Sequence, residues 1–197
     1  MRLLNFALLL SCIGSSAFAA IQSASNISGD KVVVSVRDDK SPAHSLVRLN
    51  LKTATKEIVS LPKDLGGEEI MGMVLFPDHL VMISQWTAGD GKNPHLHEYN
   101  FKDKTWNKPS EVSCLSFDTV EVNASEIKIL CEENGEKKAS LSFKATSPVK
   151  LVFPLQSDKQ GALQYKLSGG SMFTWKSIDF QDAKKPKKSL TTADLLK

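Results

Sequence analysis

Short stretches of alternating or wholly apolar residues recur along this chain, each bounded by turn-forming residues. Eight of them read as strands: Lys31 to Arg37, Ser45 to Leu51, Met71 to Phe76, Leu80 to Trp86, His95 to Phe101, Ile127 to Cys131, Ala139 to Phe143 and Leu163 to Leu167. Each is rich in β-branched or aromatic side chains or places apolar residues at every second position, the period of a strand with one buried face. The breaks carry turn chemistry, including Asp38-Asp39-Lys40-Ser41-Pro42, Gly89-Asp90-Gly91, Asn134-Gly135 and Gly169-Gly170. No long amphipathic helix interrupts the series. The pattern leaves room for one helical turn over Pro62 to Glu69 and a short terminal helix over Thr191 to Leu196, capped by a threonine. The chain is therefore expected to be all-β, an antiparallel strand meander.

A faint internal repeat lies under the alternation. Val47-x-Leu49-x-Leu51, His97-x-Tyr99-x-Phe101, Ala139-x-Leu141-x-Phe143 and Leu163-x-Tyr165-x-Leu167 share one inward column. The first two are followed by similar polar turns, Lys52 to Lys56 and Lys102 to Thr105. Their spacings of 50, 42 and 24 residues are uneven, and the last fits only half a propeller blade. The stretch Phe76-Pro77-Asp78-His79-Leu80-Val81-Met82-Ile83-Ser84, then Gly89-Asp90-Gly91, then Leu96 to Phe101, resembles the repeat of periplasmic β-propellers of the TolB type. There a Pro-Asp turn precedes a buried strand, and a loop leads to a strand that ends in a polar hairpin. The resemblance covers one repeat, with Leu46 to Leu61 as a partial second, and implies a rigid scaffold whose loops bind proteins or ligands. The chain is too short for six or seven blades. A four-bladed miniature, a β-sandwich or an up-and-down barrel carries the same alternation.

The first residues bear on the compartment. Met1 and Arg2, the apolar run Leu3 to Leu10 and the small-residue end Ala17-Phe18-Ala19 have the form of a secretory signal peptide. The run is shorter than the roughly 20 residues that cross a bilayer, so no transmembrane span is expected. A periplasmic or secreted location follows, with a second reading in which Leu9-Leu10-Ser11-Cys12 acts as a lipobox and anchors a lipoprotein through Cys12. The expected organisation is a signal peptide over 1–19, an all-β domain over 20–181 and a basic C-terminal tail over 182–197.

Loss of the leader removes Arg2 and no acid, leaving 24 of the 25 basic residues against 22 acidic ones. Five lysines and two aspartates fall between Asp182 and Lys197, so the body is close to neutral. A nucleic-acid partner, which needs a basic stripe on the folded face, is not expected. The cluster Lys184-Lys185-Pro186-Lys187-Lys188 reads as a solvated tail, or as a contact with an anionic surface. Two cysteines remain in the mature chain, and an oxidising compartment pairs them. A hairpin centred on Val122-Asn123 places Cys114 opposite Cys131, and closing that ring adds on the order of 3 kcal/mol. The sequons Asn26-Ile27-Ser28 and Asn123-Ala124-Ser125 matter only in a eukaryotic host.

Catalytic signatures are absent: there is no Gly-x-Ser-x-Gly elbow, P-loop, His-Glu-x-x-His or dinucleotide fingerprint. His95 and His97 have strand spacing that points both rings to one face, but a zinc site needs a third protein ligand. In the repeat alignment His97 stands where Val47, Ala139 and Leu163 stand, the column of an interior, hydrogen-bonded histidine. Trp86, at a strand end before the loop Thr87 to Pro94, either caps the core or faces a ligand together with His95 and His97. The sequence thus points to a cell-envelope binding or protein-interaction module without catalytic activity, needing no cofactor, whose partner is another envelope protein or a small ligand. The alternative is a small secreted metal-dependent hydrolase or metal-binding protein that uses His95 and His97.

Overall fold

A computed structural model describes residues 19–37, 44–85, 94–111, 117–122, 126–133, 136–144, 155–157, 163–171 and 174–197, with the backbone alone from 117 to 157 and at 171. Strands β1 (Ala20–Ala24), β2 (Lys31–Arg37), β3 (His44–Asn50) and β4 (Lys56–Val59) pair antiparallel in chain order. A 3-10 turn at Lys63–Leu65 leads into a second such meander, β5 (Glu69–Leu75), β6 (His79–Gln85), β7 (His95–Asn100) and β8 (Thr105–Trp106). The two-residue β9 (Ser110–Glu111) pairs with the other end of β7. A third meander holds β10 (Phe117–Val122), β11 (Glu126–Glu133) and β12 (Glu136–Lys144). The fourth holds β13 (Leu155–Ser157), β14 (Leu163–Ser171), β15 (Thr174–Asp182) and β16 (Lys188–Thr191), and ends in α1 (Thr192–Leu196). Ile21 pairs with Trp175, which joins β1 to β15 and makes the first and fourth meanders one eight-stranded sheet.

The fold is all-β and antiparallel, and each of the eight expected strands is present, Trp86 alone lying outside the described residues. The repeat is physical. Asn50 and Asn100 each close the turn after the third strand of a meander, the side-chain oxygen accepting from the backbone N–H of Lys52 and Thr53 in one and of Lys102 and Asp103 in the other. Both turns then place a non-glycine residue in the left-handed region, Ala54 at φ 62° and Lys104 at φ 54°. Leu51 N–H donates to Asp30 O at 2.7 Å, and Phe101 N–H to Asp78 O at 3.0 Å. Two stretches about 50 residues apart therefore build one turn with the same hydrogen bonds.

Strand β2 reads Lys-Val-Val-Val-Ser-Val-Arg because both of its faces are covered. Val32, Val34 and Val36 pack with Val47, Leu49, Tyr165, Leu167, Ile178 and Phe180 in the core between the first and fourth meanders. Val33 points the other way and packs with Leu46, Val59, Met73, Leu80, Met82 and Tyr99 between the first and second. Each fully buried aliphatic side chain contributes about 1.5–3 kcal/mol. The helix α1 is too short to stand alone. Thr191 Oγ1 accepts from Asp194 N–H at 3.2 Å while Asp194 Oδ2 accepts from Thr191 N–H at 3.0 Å, and Leu195 is wholly buried in the first core. The segment expected as a basic tail thus carries a strand and a capped helix. Its lysines sit on the β15–β16 turn, where Lys187 reaches Asp179 at 3.0 Å and Lys185 reaches Asp182 at 3.8 Å.

One expectation of register is corrected. Cys131 stands opposite Phe117, Ile129 opposite Val120 and Ile127 opposite Val122, so the centre of the pairing lies beyond Val122-Asn123. Centring it on Val122-Asn123 would set Ile127 against Asp118 and Ile129 against Ser116, whereas the observed register pairs apolar with apolar. Cys114 lies outside the described residues.

The segment between β1 and β2 fastens the sheets to one another. Asn26 is 4% exposed, its Oδ1 accepting from Leu75 N–H at 2.8 Å and its Nδ2 donating to Leu75 O at 2.9 Å. One side chain thereby supplies the hydrogen bonds a neighbouring strand would have given to β5. Beside it, Ser25 N–H donates to Val33 O at 2.8 Å, Val33 N–H donates to Ser25 Oγ at 2.9 Å, and Tyr165 Oη–H donates to Ser25 O at 2.6 Å. Burial holds the Tyr165 phenol far above its ordinary range, so it remains a donor. With both amide atoms engaged inside the fold, Asn26 is not available as a glycosylation acceptor. Asn26→Ala leaves a buried N–H and C=O of Leu75 without partners and should cost about 2–4 kcal/mol. Urea unfolding checks this: a loss under 0.5 kcal/mol at unchanged m-value contradicts it.

Candidate functional site

Glu68 is positioned by the turn before β5. Gly66 at φ 57° reverses the chain after Lys63–Leu65, and Glu68 N–H donates to Leu65 O at 3.0 Å, leaving the carboxylate side chain only 3% exposed. Ser84 lies opposite His95, and Met82 opposite His97, across the β6–β7 pair. Cross-strand partners share a face, so Met82, Ser84, His95 and His97 line the side of the second meander that packs on the first.

Four polar side chains meet there. His95 Nδ1 is 2.6 Å from Glu68 Oε1, Ser84 Oγ donates to Glu68 Oε2, and His97 Nε2 is 2.8 Å from Ser84 Oγ. A serine hydroxyl has one hydrogen, and here it faces the carboxylate. The contact to His97 must then be a donation from Nε2–H, which fixes the tautomer and leaves Nδ1 as a buried acceptor with no partner. His95 can likewise only donate to Glu68. Every hydrogen bond in the group runs toward the one carboxylate.

Accessibility divides the group. Ser84 and His97 are fully buried, while the His95 side chain is 31% exposed. Trp106 stands edge-on to His97 with ring centroids 6.2 Å apart, and its Nε1–H donates to Ser60 O at 2.5 Å, closing the group toward the first meander. Desolvation lowers the His97 pKa, helped by His95 and opposed by Glu68 and Asp64. The first meander holds a simpler version at the same end. Ser35 Oγ lies 3.3 Å from Nδ1 of buried His44, whose pKa is lowered by desolvation and by Arg37 against the opposing Glu69.

The sequence-derived pair His95 and His97 is thus brought onto one face, but with separate tasks. His97 belongs to the interior and His95 to the rim, and their ring centroids are 6.3 Å apart. Among the described residues no three His, Cys, Asp or Glu side chains gather as metal ligands. Trp86 lies outside the described residues. Sequence reasoning missed Glu68 and Ser84. A lone serine inside an apolar strand was the available signal, and it occurs twice, at Ser35 within Val32 to Val36 and at Ser84 after Leu80 to Ile83.

The chain belongs, by these features, to the class of all-β proteins built from consecutive antiparallel meanders. No protein-family model matches it, and no curated protein does. Among solved structures it is similar to TolB from Acinetobacter baumannii, at 14% identity and a TM-score of 0.41, over 87% of this chain and 43% of that one. An uncharacterized protein from Listeria monocytogenes is similar at 11% identity and a TM-score of 0.42, over 90% of this chain and 54% of that one. A prolyl endopeptidase is similar at 7% identity and a TM-score of 0.43, over 89% of this chain and 30% of that one. The chain spans less than two thirds of the length of each of these structures.

The buried histidines make stability depend on pH in a definite direction. His44 and His97 bind protons less readily in the folded chain than at their usual pKa of 6.5, so the unfolded state takes up more protons below that value. Their contribution is complete above pH 6.5 and is lost as the pH falls. The melting temperature should therefore drop between pH 7 and pH 5, and the drop should shrink in His97→Gln, whose amide nitrogen can still donate to Ser84. A wild-type chain with equal melting temperatures at pH 7 and pH 5 contradicts this assignment.

Proposed function

We propose that the protein is an exported binding or protein-interaction module of the cell envelope, without catalytic activity, that engages its partner at the β6–β7 loop end near Trp86, His95 and His97. The observation that carries the reading is the burial of the polar group around Glu68. Ser84 gives its hydrogen to the Glu68 carboxylate and His97 donates in turn to Ser84, but the serine, the carboxylate and the His97 ring all lie inside the fold, where no substrate reaches the hydroxyl. Only His95 offers a polar edge to solvent. A rigid rim over a locked interior suits recognition of a partner and does not suit turnover.

The first residues support export. Met1 to Ala19 has the form of a cleavable leader, with Cys12 as the alternative lipid anchor. No helix among the described residues is long and apolar enough to cross a membrane. In that compartment Cys114 and Cys131 close one disulfide ring, the partner is another envelope protein or a small ligand, and the exposed lysines of the β15–β16 turn face anionic surfaces.

Expression of the full chain in a bacterial host tests the reading. The mature protein is expected in the periplasmic fraction with a mass beginning at Ala20, with no free thiol by alkylation and no stoichiometric metal. Stoichiometric zinc that disappears in His97→Ala would establish the metalloprotein instead. Membrane fractionation abolished by Cys12→Ser would establish the lipoprotein form.

A further inference from the structure

The opposite end of the first two meanders carries a feature unrelated to the histidine group. A cavity of about 110 Å³ opens there, lined by Lys31, Arg48, Asn50, Thr55, Lys56 and Glu57. We propose that it binds a single oxyanion group, phosphate or carboxylate, with the Arg48 guanidinium as its main ligand and Lys31 as its second.

Arg48 is built into place. It projects from β3 on the face shared with Val33 and Glu57, and its guanidinium carbon lies 3.6 Å from the centre of the Phe101 ring in the turn of the second meander. Stacking on a ring fixes the guanidinium plane and leaves its N–H edge for an acceptor lying in that plane. The side chain is only 13% exposed, and its Nε–H is buried with no hydrogen-bond partner. Nε–H is out of reach of a water-sized probe, so an acceptor entering the cavity meets the Nη edge of the guanidinium, the edge that also faces Glu57. Glu57 does not saturate that edge. Its Oε2 stands 3.6 Å from Arg48 Nη1, and its Oε1 is drawn toward Lys104 at 3.7 Å.

The rest of the lining suits an anion. Lys31 has no ion-pair partner among the described residues and lies across the β2–β3 pair from Asn50. Asn50 adds no competing acceptor, because its oxygen already takes the backbone N–H of Lys52 and Thr53. Lys56 turns its ammonium to Asp194 O and contributes charge without a direct bond. Arg48, Lys31, Lys56 and Lys104 outnumber the carboxylates of Glu57 and of Asp30, which Asn50 Nδ2 holds at 3.1 Å, and the cavity volume holds a few waters or one small oxyanion. A planar fork with an additional ammonium is the donor set that recognises phosphate and carboxylate.

Titration of the purified mature chain with inorganic phosphate and, separately, with acetate tests the site, chloride being used to match ionic strength. Melting temperature and the ¹⁵Nε–¹H resonance of Arg48 are the readouts. Saturable stabilisation is expected, together with a shift of that resonance. A phosphate response alone assigns a phosphoryl group, and a response to acetate as well assigns any oxyanion. Arg48→Lys keeps the charge and loses the planar fork, and should weaken binding at least tenfold. Lys31→Ala, which removes no core contact, should weaken it about three- to tenfold without lowering the ligand-free melting temperature. Glu57→Gln, which removes the competing carboxylate, should tighten it. The proposal is overturned if neither anion has an effect beyond chloride, if the response does not saturate, if Arg48→Lys and Lys31→Ala bind as the parent does, or if Lys63→Ala, on the turn at the opposite end of the meanders, weakens binding as much.

Discussion

The docking of the first meander on the second turns on one carboxamide. The first and second meanders each bury a face against the other, but no strand ladder joins β1 to β5. Where the chain leaves β1, the Asn26 amide fills the gap by pairing with both the N–H and the C=O of Leu75. Tyr165 ties the neighbouring Ser25 carbonyl to the fourth meander. Three meanders of two sheets are fixed at two adjacent residues, and all of the polar atoms concerned are out of water. In such surroundings a satisfied hydrogen bond adds a modest amount of stability, whereas an unsatisfied one costs more. The junction therefore acts chiefly by penalising every other docking of the sheets.

The same reasoning explains why the interior tolerates histidine. A Ser–His contact recurs at the same end of the first two meanders, at Ser35 with His44 and at Ser84 with His97. Both rings are desolvated, and both are held toward the neutral form. The second contact differs by the addition of Glu68, which collects hydrogen bonds from Ser84 and His95 and so extends the network from the core to a half-exposed ring. A repeated backbone has been kept, and the variation lies in what sits at the strand ends.

How far the sequence revealed this follows from the range of each interaction. The eight strands were legible because burial imposes a period of two, and Val32 to Val36 announced a strand covered on both faces. The missed strands carried weaker signals. β4 has only Val59 buried among its four residues, β8 and β9 are two residues long, and β1 reads Ala-Ile-Gln-Ser-Ala with little β-propensity. β15 alternated openly, with Ile178 and Phe180 inward, but lay beside the lysine cluster that read as a tail. Asn50 and Asn100 follow Leu49 and Tyr99 at the same place in the repeat, an equivalence that the apolar columns do not carry because the residue that closes the turn is polar. His95 and His97 were visible as a pair on one face. Glu68 was not, since it comes from 27 residues upstream of His95 and reaches it through a turn that no local pattern encodes.

The two ends of the paired meanders are chemically unlike, and this follows from the repeat. Identical turns at Asn50 and Asn100 bring side chains of one meander against those of the next: Arg48 of the first lies on Phe101 of the second, and Glu57 of the first faces Lys104 of the second. At the other end the equivalent positions hold Ser35 with His44 and Ser84 with His97, where uncharged contacts are buried and only Glu68 brings a charge inward. Backbone hydrogen bonds make the repeats alike, while the residues at the strand ends share none of that constraint. A scaffold of this kind keeps its cores fixed by alternation and lets its rims diverge.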